Sequence, residues 1–395
     1  MIRIGSALST HPDAPRAARE ATERALGPLG GLPAELVFTV HSPHHLPRID
    51  EVVTEMVKLV GSAALLGCTS QAVVVDGLEV EEGPALTVWA GAFGGARIEP
   101  FSLTYEETPD GPSLVGLPLI EPWVRAVLLL GDPFSFPPNA LARLNEERPG
   151  LPVIGGMASG GMRPGLHALI LNDRVTPSGG VGVLLGGSVN VETLVSQGCK
   201  PIGQPYVVTD AEHNVIRTLG GEAPLERLRE TLQGLDPQER LLAQHGLHVG
   251  VVIDEYKAEL VRGDFLIRNV MGADQQSGAV AIGEHVHVGQ TVQFHVRDAS
   301  AADEDLRAML EGFGARPATS PVGALLFTCN GRGSRLFGTP HHDATAVQSK
   351  IGPLPMAGMF CSGEIGPVGG QNFLHGFTAS LAIFTAPQEE APPRS

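Results

Sequence analysis

Apolar runs of strand length alternate with polar loops and helical periods along this chain, and one order of them returns three times. The first round opens on the run Leu36-Val-Phe-Thr-Val40, between Glu35 and His41. It passes through the polar loop His41-Ser-Pro-His-His45 into a helix predicted from Ile49 to Val60, apolar at Val52, Val53, Met56, Leu59 and Val60. A second strand ends in the small-residue turn Leu65-Leu-Gly-Cys-Thr-Ser70, and strands follow at Val73–Val75, Ala85–Ala90 and Ile98–Leu103. The second round has a strand over Arg125–Gly131, the loop Asp132-Pro-Phe-Ser-Phe136 and a helix from Pro138 to Glu147. The strand and turn Val153-Ile-Gly-Gly-Met-Ala-Ser159 come next, then strands at Ala168–Leu171, Gly180–Leu185 and Val189–Val195. The third has a strand over Gly323–Cys329, the loop Asn330-Gly-Arg-Gly-Ser334, a weak helix from Ala344 to Lys350 and the strand Met356–Ser362. A turn over Gly363–Gly370 and a last strand from Phe373 to Phe384 complete it. The three turns align as LLGCTS, VIGGMAS and AGMFCSGE, which reads as duplication of a long unit rather than a solenoid.

A segment of different character separates the second and third rounds. Pro224 to Gln244 reads as one or two helices, and strand candidates follow at Leu247–Asp254, Asp264–Val270, Ala279–Ile282 and Gly289–Arg297. Ala301 to Phe313 reads as a helix, with Asp298 and Ser300 placed to cap it. Another helix is expected from about Asp13 to Leu26. Recurrent strand–helix–strand units with consecutive hairpin-like strands imply an α/β fold: two related sandwich domains of mixed sheets covered by helices. The boundary is placed at Gly220-Gly221, giving domains 1–220 and 221–385. The Pro/Glu-rich residues 386–395 are expected to form a flexible tail.

Composition narrows the function classes. A formal net charge of −16 and no run of Lys or Arg argue against nucleic acid and anionic membrane as partners. No stretch reaches membrane-spanning length without interruption, and the N-terminus lacks a signal-peptide core. Cys68, Cys199, Cys329 and Cys361 show no CxxC spacing, so free thiols in a reducing cytoplasm are expected.

Three C-terminal runs carry a resemblance: Cys329-Asn-Gly-Arg-Gly333, Gly363-Glu-Ile-Gly-Pro367 and Phe373-Leu-His-Gly-Phe-Thr378. They are similar to the signature of the FIST C domain. Gly67-Cys-Thr-Ser70, Gly155-Gly-Met-Ala-Ser-Gly-Gly161 and Gly198-Cys-Lys-Pro-Ile-Gly203 resemble a FIST N domain. The resemblance spans roughly residues 5 to 385. One departure is Gly376 after His375, where many members have Asn. The resemblance implies an intracellular sensor of a small ligand, such as an amino acid or related small carboxylate, and not an enzyme. Because the chain shows no output domain and no F-box-like segment ahead of Ser6, it is expected to signal through a separate partner protein. Some relatives bind haem, which leaves a haem-based gas sensor as an alternative.

Ligands of α/β sheets sit beyond the carboxyl ends of strands. Of the three equivalent loops, the third is chemically richest. Gly331 and Gly333 let the backbone approach a ligand, Arg332 offers a bidentate fork, and Asn330 supplies donor and acceptor. Glu364 could hold an ammonium, with His375 and Ser159 of the 155–161 turn facing the same pocket. The expected ligand-binding set is Asn330, Arg332, Gly333, Glu364, His375 and Ser159. The bland alternative is a tight turn closed by an Arg332–Glu364 ion pair. The groups His41, His44, His45 and His341, His342 lack metal-site spacing and read as solvated or helix-capping residues, Asp343 with them. Cys329 or Cys361 with a histidine and Asp343 gives a Cys-dependent hydrolase or transferase as a further alternative. A protein-interaction scaffold is the last. Lys200 reads as a ligand contact or a packed stem.

Overall fold

The computed structural model describes residues 2–108, 111–137, 139–316 and 320–386. Pro138 and the tail from 387 on lie outside the described residues. Strand makes up 43% of the chain and helix 24%, so sheets form the frame of a mixed α/β fold. Packing divides the chain into two units. One holds the described residues up to Val195, from Leu306 to Leu374 and from Thr378 on; the other holds Ser196–Asp305 and His375–Phe377. Gly220 and Gly221 fall within the second unit.

In the first unit, round one comprises β1 (Arg3–Ser9), α1 (Ala14–Leu26), β2 (Leu36–His41), α2 (Ile49–Val60), β3 (Ala64–Thr69), β4 (Val73–Val75), β5 (Leu78–Val80) and β6 (Leu86–Ala92). Asp13 caps α1, its carboxylate accepting from the Arg16 amide at 3.1 Å. Round two comprises β7 (Ala96–Thr108), β8 (Gly111–Val115), β9 (Val124–Gly131), α3 (Ala140–Glu147), β10 (Val153–Met157), β11 (Leu169–Leu171), β12 (Arg174–Thr176) and β13 (Gly180–Gly187). Round three starts at β14 (Asn190–Gln197), and the second unit is inserted before it continues. That insert carries β15 (Cys199–Glu212), β16 (Val215–Leu219), α4 (Pro224–Gly234), α5 (Pro237–His245), β17 (Leu247–Val252), β18 (Phe265–Ala273), β19 (Val280–Ile282) and β20 (Thr291–Arg297). The chain then runs through α6 (Ala299–Gly314), β21 (Pro321–Cys329), α7 (Ser334–Phe337), α8 (His342–Ile351), β22 (Met356–Cys361), β23 (Glu364–Val368), β24 (Gln371–His375) and β25 (Thr378–Thr385).

Each round builds a sheet around a parallel pair joined by a helix: β2/β3, β9/β10 and β21/β22. The strand that closes the round pairs antiparallel on the first strand of its own pair: β6 on β2, β13 on β9, β25 on β21. The hairpin after each parallel pair does not stay at home. The β4–β5 hairpin of round one joins the third sheet on β22, β11–β12 of round two joins the first on β3, and β23–β24 of round three joins the second on β10. This cyclic exchange locks the three sheets together. Their inner faces share one apolar core, in which Phe38 meets Phe327 edge-on at 5.8 Å and Trp89 meets Phe384 at 4.8 Å. The parallel strands are buried on both faces, which is why they read as continuous apolar runs.

The second unit is a closed barrel of order β15-β16-β19-β18-β17-β20 around Ile202, Val208, Ile216, Val249, Val251, Val292, Phe294 and Val296.

Two strands fall in other rounds than expected, Ile98–Leu103 within β7 of the second sheet and Val189–Val195 largely within β14 of the third, and two stretches differ in kind. The stretch 363–370, expected as a turn, contains β23, because residues 364–368 find a strand partner in β10. The expected strand Phe373–Phe384 is two strands broken at Gly376-Phe377, where Phe377 adopts a left-handed φ of 65°.

Candidate functional site

Both strands of a parallel pair end at the same edge, so each round delivers two loops to one side of its sheet. Five of the six resulting loops meet in the first unit around a cleft of about 360 Å3. Pro43 and His44 come from the loop after β2, Gln71 from that after β3, Gly160, Gly161 and Met162 from that after β10, Asn330 from that after β21, and Ser362 from that after β22. Glu81, Glu82 and Gly83, beyond β5, complete the wall. The sixth loop supports this floor from behind. The Asp132 carboxylate holds His167 Nδ1 at 2.8 Å, and His167 Nε2 accepts from the Gly161 amide at 3.1 Å. Gly160 has φ +92°, and a Cβ there would stand 2.6 Å from Pro43, so the approach of these two loops requires glycine.

The aligned serines of the three turns converge here as well. The Ser159 hydroxyl donates to the Phe360 carbonyl and accepts from the Gln71 amide at 2.8 Å. Ser70 Oγ lies 2.9 Å from the same carbonyl and 3.4 Å from Ser159 Oγ. Both serines are fully buried, whereas Ser362 opens onto the cleft.

Behind Asn330 lies a buried ionic network. The Arg332 guanidinium, 1% exposed, donates through Nε and Nη2 to both oxygens of Asp343 at 2.7 and 2.9 Å. Thr328 Oγ1 adds a donor at 2.6 Å and His342 Nδ1 lies 3.0 Å away. Burial alone would raise the Asp343 pKa; the Arg332 charge and these hydrogen bonds override it and hold the carboxyl well below the usual carboxylate range. The alternative of an Arg332–Glu364 ion pair is therefore corrected: the ion-pair partner of Arg332 is Asp343, at the start of α8, and Asp343 is not a helix cap. The α8 amide of Ala344 instead donates to Glu79 Oε1 at 2.9 Å. Glu79 is pushed up to about 7 by burial and by the Asp343 charge. Glu364, wholly buried, accepts from the Thr378 amide and hydroxyl at 3.1 and 2.9 Å; burial pushes its pKa up to about 8 against those bonds and the Arg332 charge. Gly333, at φ +62°, turns the chain so that Ser334 donates through its amide and hydroxyl to Glu81 at 2.9 and 2.7 Å.

Of the six expected ligand residues, Asn330 lines the cleft and Gly333 shapes its wall through Glu81. Arg332, Glu364 and Ser159 are buried beside or beneath these residues; Ser159 is engaged by the protein itself, whereas Arg332 Nη1 and Glu364 Oε1 are buried without a hydrogen-bond partner. His375 belongs to the second unit. The histidine reading is corrected in part. His44 is exposed and lines the cleft, but His41 and His45 are buried, and burial takes His41 down to about 4. His341 Nδ1 accepts from the Glu79 amide at 2.9 Å. Lys200 pairs with Glu239 at 2.7 Å inside the second unit. Gln71, Glu81, Glu82 and Ser362 were missed, because only the sheet exchange brings the first-round hairpin to the third-round loops.

The triad-like cysteine arrangement finds little support: Asp343 is committed to Arg332, Thr328 and His342, and burial raises the Cys68 and Cys361 thiols. The lining also does not suit a haem. His44 is a usable axial ligand, but carboxylates, amides and glycines stand where a porphyrin face needs apolar walls. No helix among the described residues is long and apolar enough to cross a membrane.

Comparison with known proteins shows the family of the chain. A model of the FIST N domain matches residues 35–222 and a model of the FIST C domain matches residues 224–367. An uncharacterized protein of Mycobacterium tuberculosis is 47% identical over 384 residues, covering 97% of this chain and 100% of the relative. One from Mycobacterium bovis is 45% identical over 389 residues, covering 98% and 100%. An F-box/LRR-repeat protein of Arabidopsis thaliana is 31% identical over 110 residues, which is 27% of this chain and 21% of that protein.

Proposed function

The chain belongs to the FIST family, and from that premise we propose that it is a receptor for a small ligand, bound in the cleft, that signals through a separate protein partner. FIST domains are associated with sensory and signalling roles. The observation that carries the reading to this site is the convergence of loops from all three rounds on one cleft of about 360 Å3, a size suited to a small metabolite. A ligand there touches every round at once. Its binding energy therefore acts on the mutual fit of three interlocked sheets, which is what a sensor needs to bias a conformational equilibrium. An amino acid remains compatible through its ammonium group. Its carboxylate would find no guanidinium on the cleft surface: Arg332 is buried, two of its nitrogens hold Asp343, and its unpartnered Nη1 is enclosed with them.

Native mass spectrometry of freshly purified protein, compared with the denatured mass, tests this. The expected result is an extra mass lost on denaturation and absent from Ser362→Trp, whose indole fills the cleft. Retention of that mass by Ser362→Trp would move the ligand site elsewhere. A retained mass that is a haem, with its visible absorbance, would restore the gas-sensor reading.

A further inference from the structure

Two cysteines stand side by side on the parallel pair that ends beneath the cleft. Cys329 closes β21, Cys361 closes β22, and the two are in register. Side chains alternate along strands, so residues paired in register leave the sheet on the same face. Neighbouring strands lie about 4.8 Å apart, inside the Cα separation of about 4.4–6.8 Å that a disulfide spans. The surroundings of the two thiols differ. Cys361 is buried, as are Cys68 and Cys199, whereas Cys329 is half-buried. The Gly331 amide donates to the Cys329 sulfur at 3.5 Å. The Arg332 guanidinium is close enough to act on the same sulfur, and its Nη1 is left over from the pairing with Asp343. Both neighbours favour a thiolate over a thiol. The Glu364 carboxyl lies beside Cys329 as well, but burial keeps it protonated up to about 8, so at neutral pH it sets no like charge against that thiolate.

We propose that Cys329 is a modification site, oxidised by a hydroperoxide and resolved by Cys361 into a reversible disulfide between the ends of β21 and β22. The Cys329 thiol releases its proton to solvent, and its sulfur attacks the hydroperoxide. An S–O bond forms and the O–O bond breaks; the leaving oxygen takes up a proton and departs as an alcohol, or as water from hydrogen peroxide. The Cys361 sulfur then attacks the sulfenic acid at Cys329. The S–S bond forms, the S–O bond breaks, and the Cys361 proton leaves with the hydroxyl as water. Two thiols together lose two electrons and the hydroperoxide gains them. Burial raises the Cys361 thiol, so it is a poor target for peroxide itself and reacts with the sulfur held next to it. The residues that follow, Asn330 and Ser362, both line the cleft and hydrogen-bond to each other at 3.2 Å, so the new bond forms directly behind cleft residues. The oxidation needs no ligand in the cleft and stands or falls apart from the receptor reading.

Stoichiometric hydrogen peroxide added to the reduced full chain, followed by denaturation, alkylation of the remaining thiols, intact mass and peptide mapping, tests the proposal. The expected result is loss of two of the four alkylatable thiols, a peptide pair linked through Cys329 and Cys361, and return of both thiols with dithiothreitol. Cys361→Ala should stop at a Cys329 sulfenic acid that dimedone traps, and Cys329→Ala should keep its three remaining thiols. The wild-type chain decides the matter by itself if either variant fails to fold. Survival of all four thiols, oxidation of Cys329 to sulfinic acid with Cys361 still free, or a link from Cys329 to any other cysteine, in the same chain or a second copy, overturns the proposal.

Discussion

Glu364 sits wholly buried, and its pKa of about 8 against an ordinary 4.5 makes it a neutral acid at physiological pH. Burial is the cause; the Thr378 hydrogen bonds and the charge of Arg332, which is already paired with Asp343, oppose it without overcoming it. The linkage sign follows. Between about 4.5 and 8 the folded state holds a proton that the unfolded state has released, so this residue makes stability fall as pH rises through that window, at a slope of at most about 1.4 kcal/mol per pH unit. Glu79, raised to about 7, acts in the same direction. Glu364→Gln keeps an acceptor for Thr378 and removes the titration. Urea unfolding across the window should show the variant gaining on the wild type as pH rises. A constant difference between the two would mean that Glu364 is already ionised in the folded protein.

At the scale of elements, the exchanged hairpins leave the turns between strands to hold the rounds in register. Ser159, after β10, joins the Gln71 amide of round one to the Phe360 carbonyl of round three. Ser159→Ala removes the acceptor of the half-buried Gln71 amide and the donor to the Phe360 carbonyl, with an expected cost of about 1 kcal/mol in chemical unfolding. It should also weaken whatever the cleft binds, because Gln71 lines it; a loss of less than about 0.5 kcal/mol would show that the sheets are held by their cores alone. The three rounds were legible in the sequence because their parallel strands are apolar on both faces and their turns share a serine. The exchange was not, since β4 and β5 are short and nothing local names β22 as their partner. The same limit misassigned Arg332. Glu364 follows the neighbouring strand of the pair and looks near on a sheet diagram, whereas Asp343 reaches Arg332 only through the way α8 begins. His41 and His45 read as part of a polar loop because histidine is polar, yet these two rings lie inside the packing of their round while His44 between them faces the cleft.

At the scale of the whole molecule, the barrel is an insertion between the edge strand of round three and its parallel pair. Its two ends are tied together: Ser196 Oγ and the Gln197 amide both donate to the Asp305 carboxylate at 2.8 Å. An insertion whose ends meet and whose strands close on their own core has what independent folding requires. The fragment 196–305 should therefore give dispersed amide resonances and one cooperative thermal transition. It will lack Phe377, whose ring lies 4.2 Å from that of His248. In the full chain, burial and then the Arg297 charge hold His248 down at about 4. Uncovered in the fragment, its imidazole should titrate closer to the ordinary histidine value of 6.5, which carbon-bound ring proton shifts report directly. The folded-state pKa is depressed, so this histidine contributes stability that is complete above 6.5 and lost as pH falls toward 4. The fragment should lose less stability than the full chain over that interval. A folded fragment with His248 still near 4 would show that the barrel buries this ring without Phe377. An unfolded fragment would show that the insert depends on the first unit for its structure.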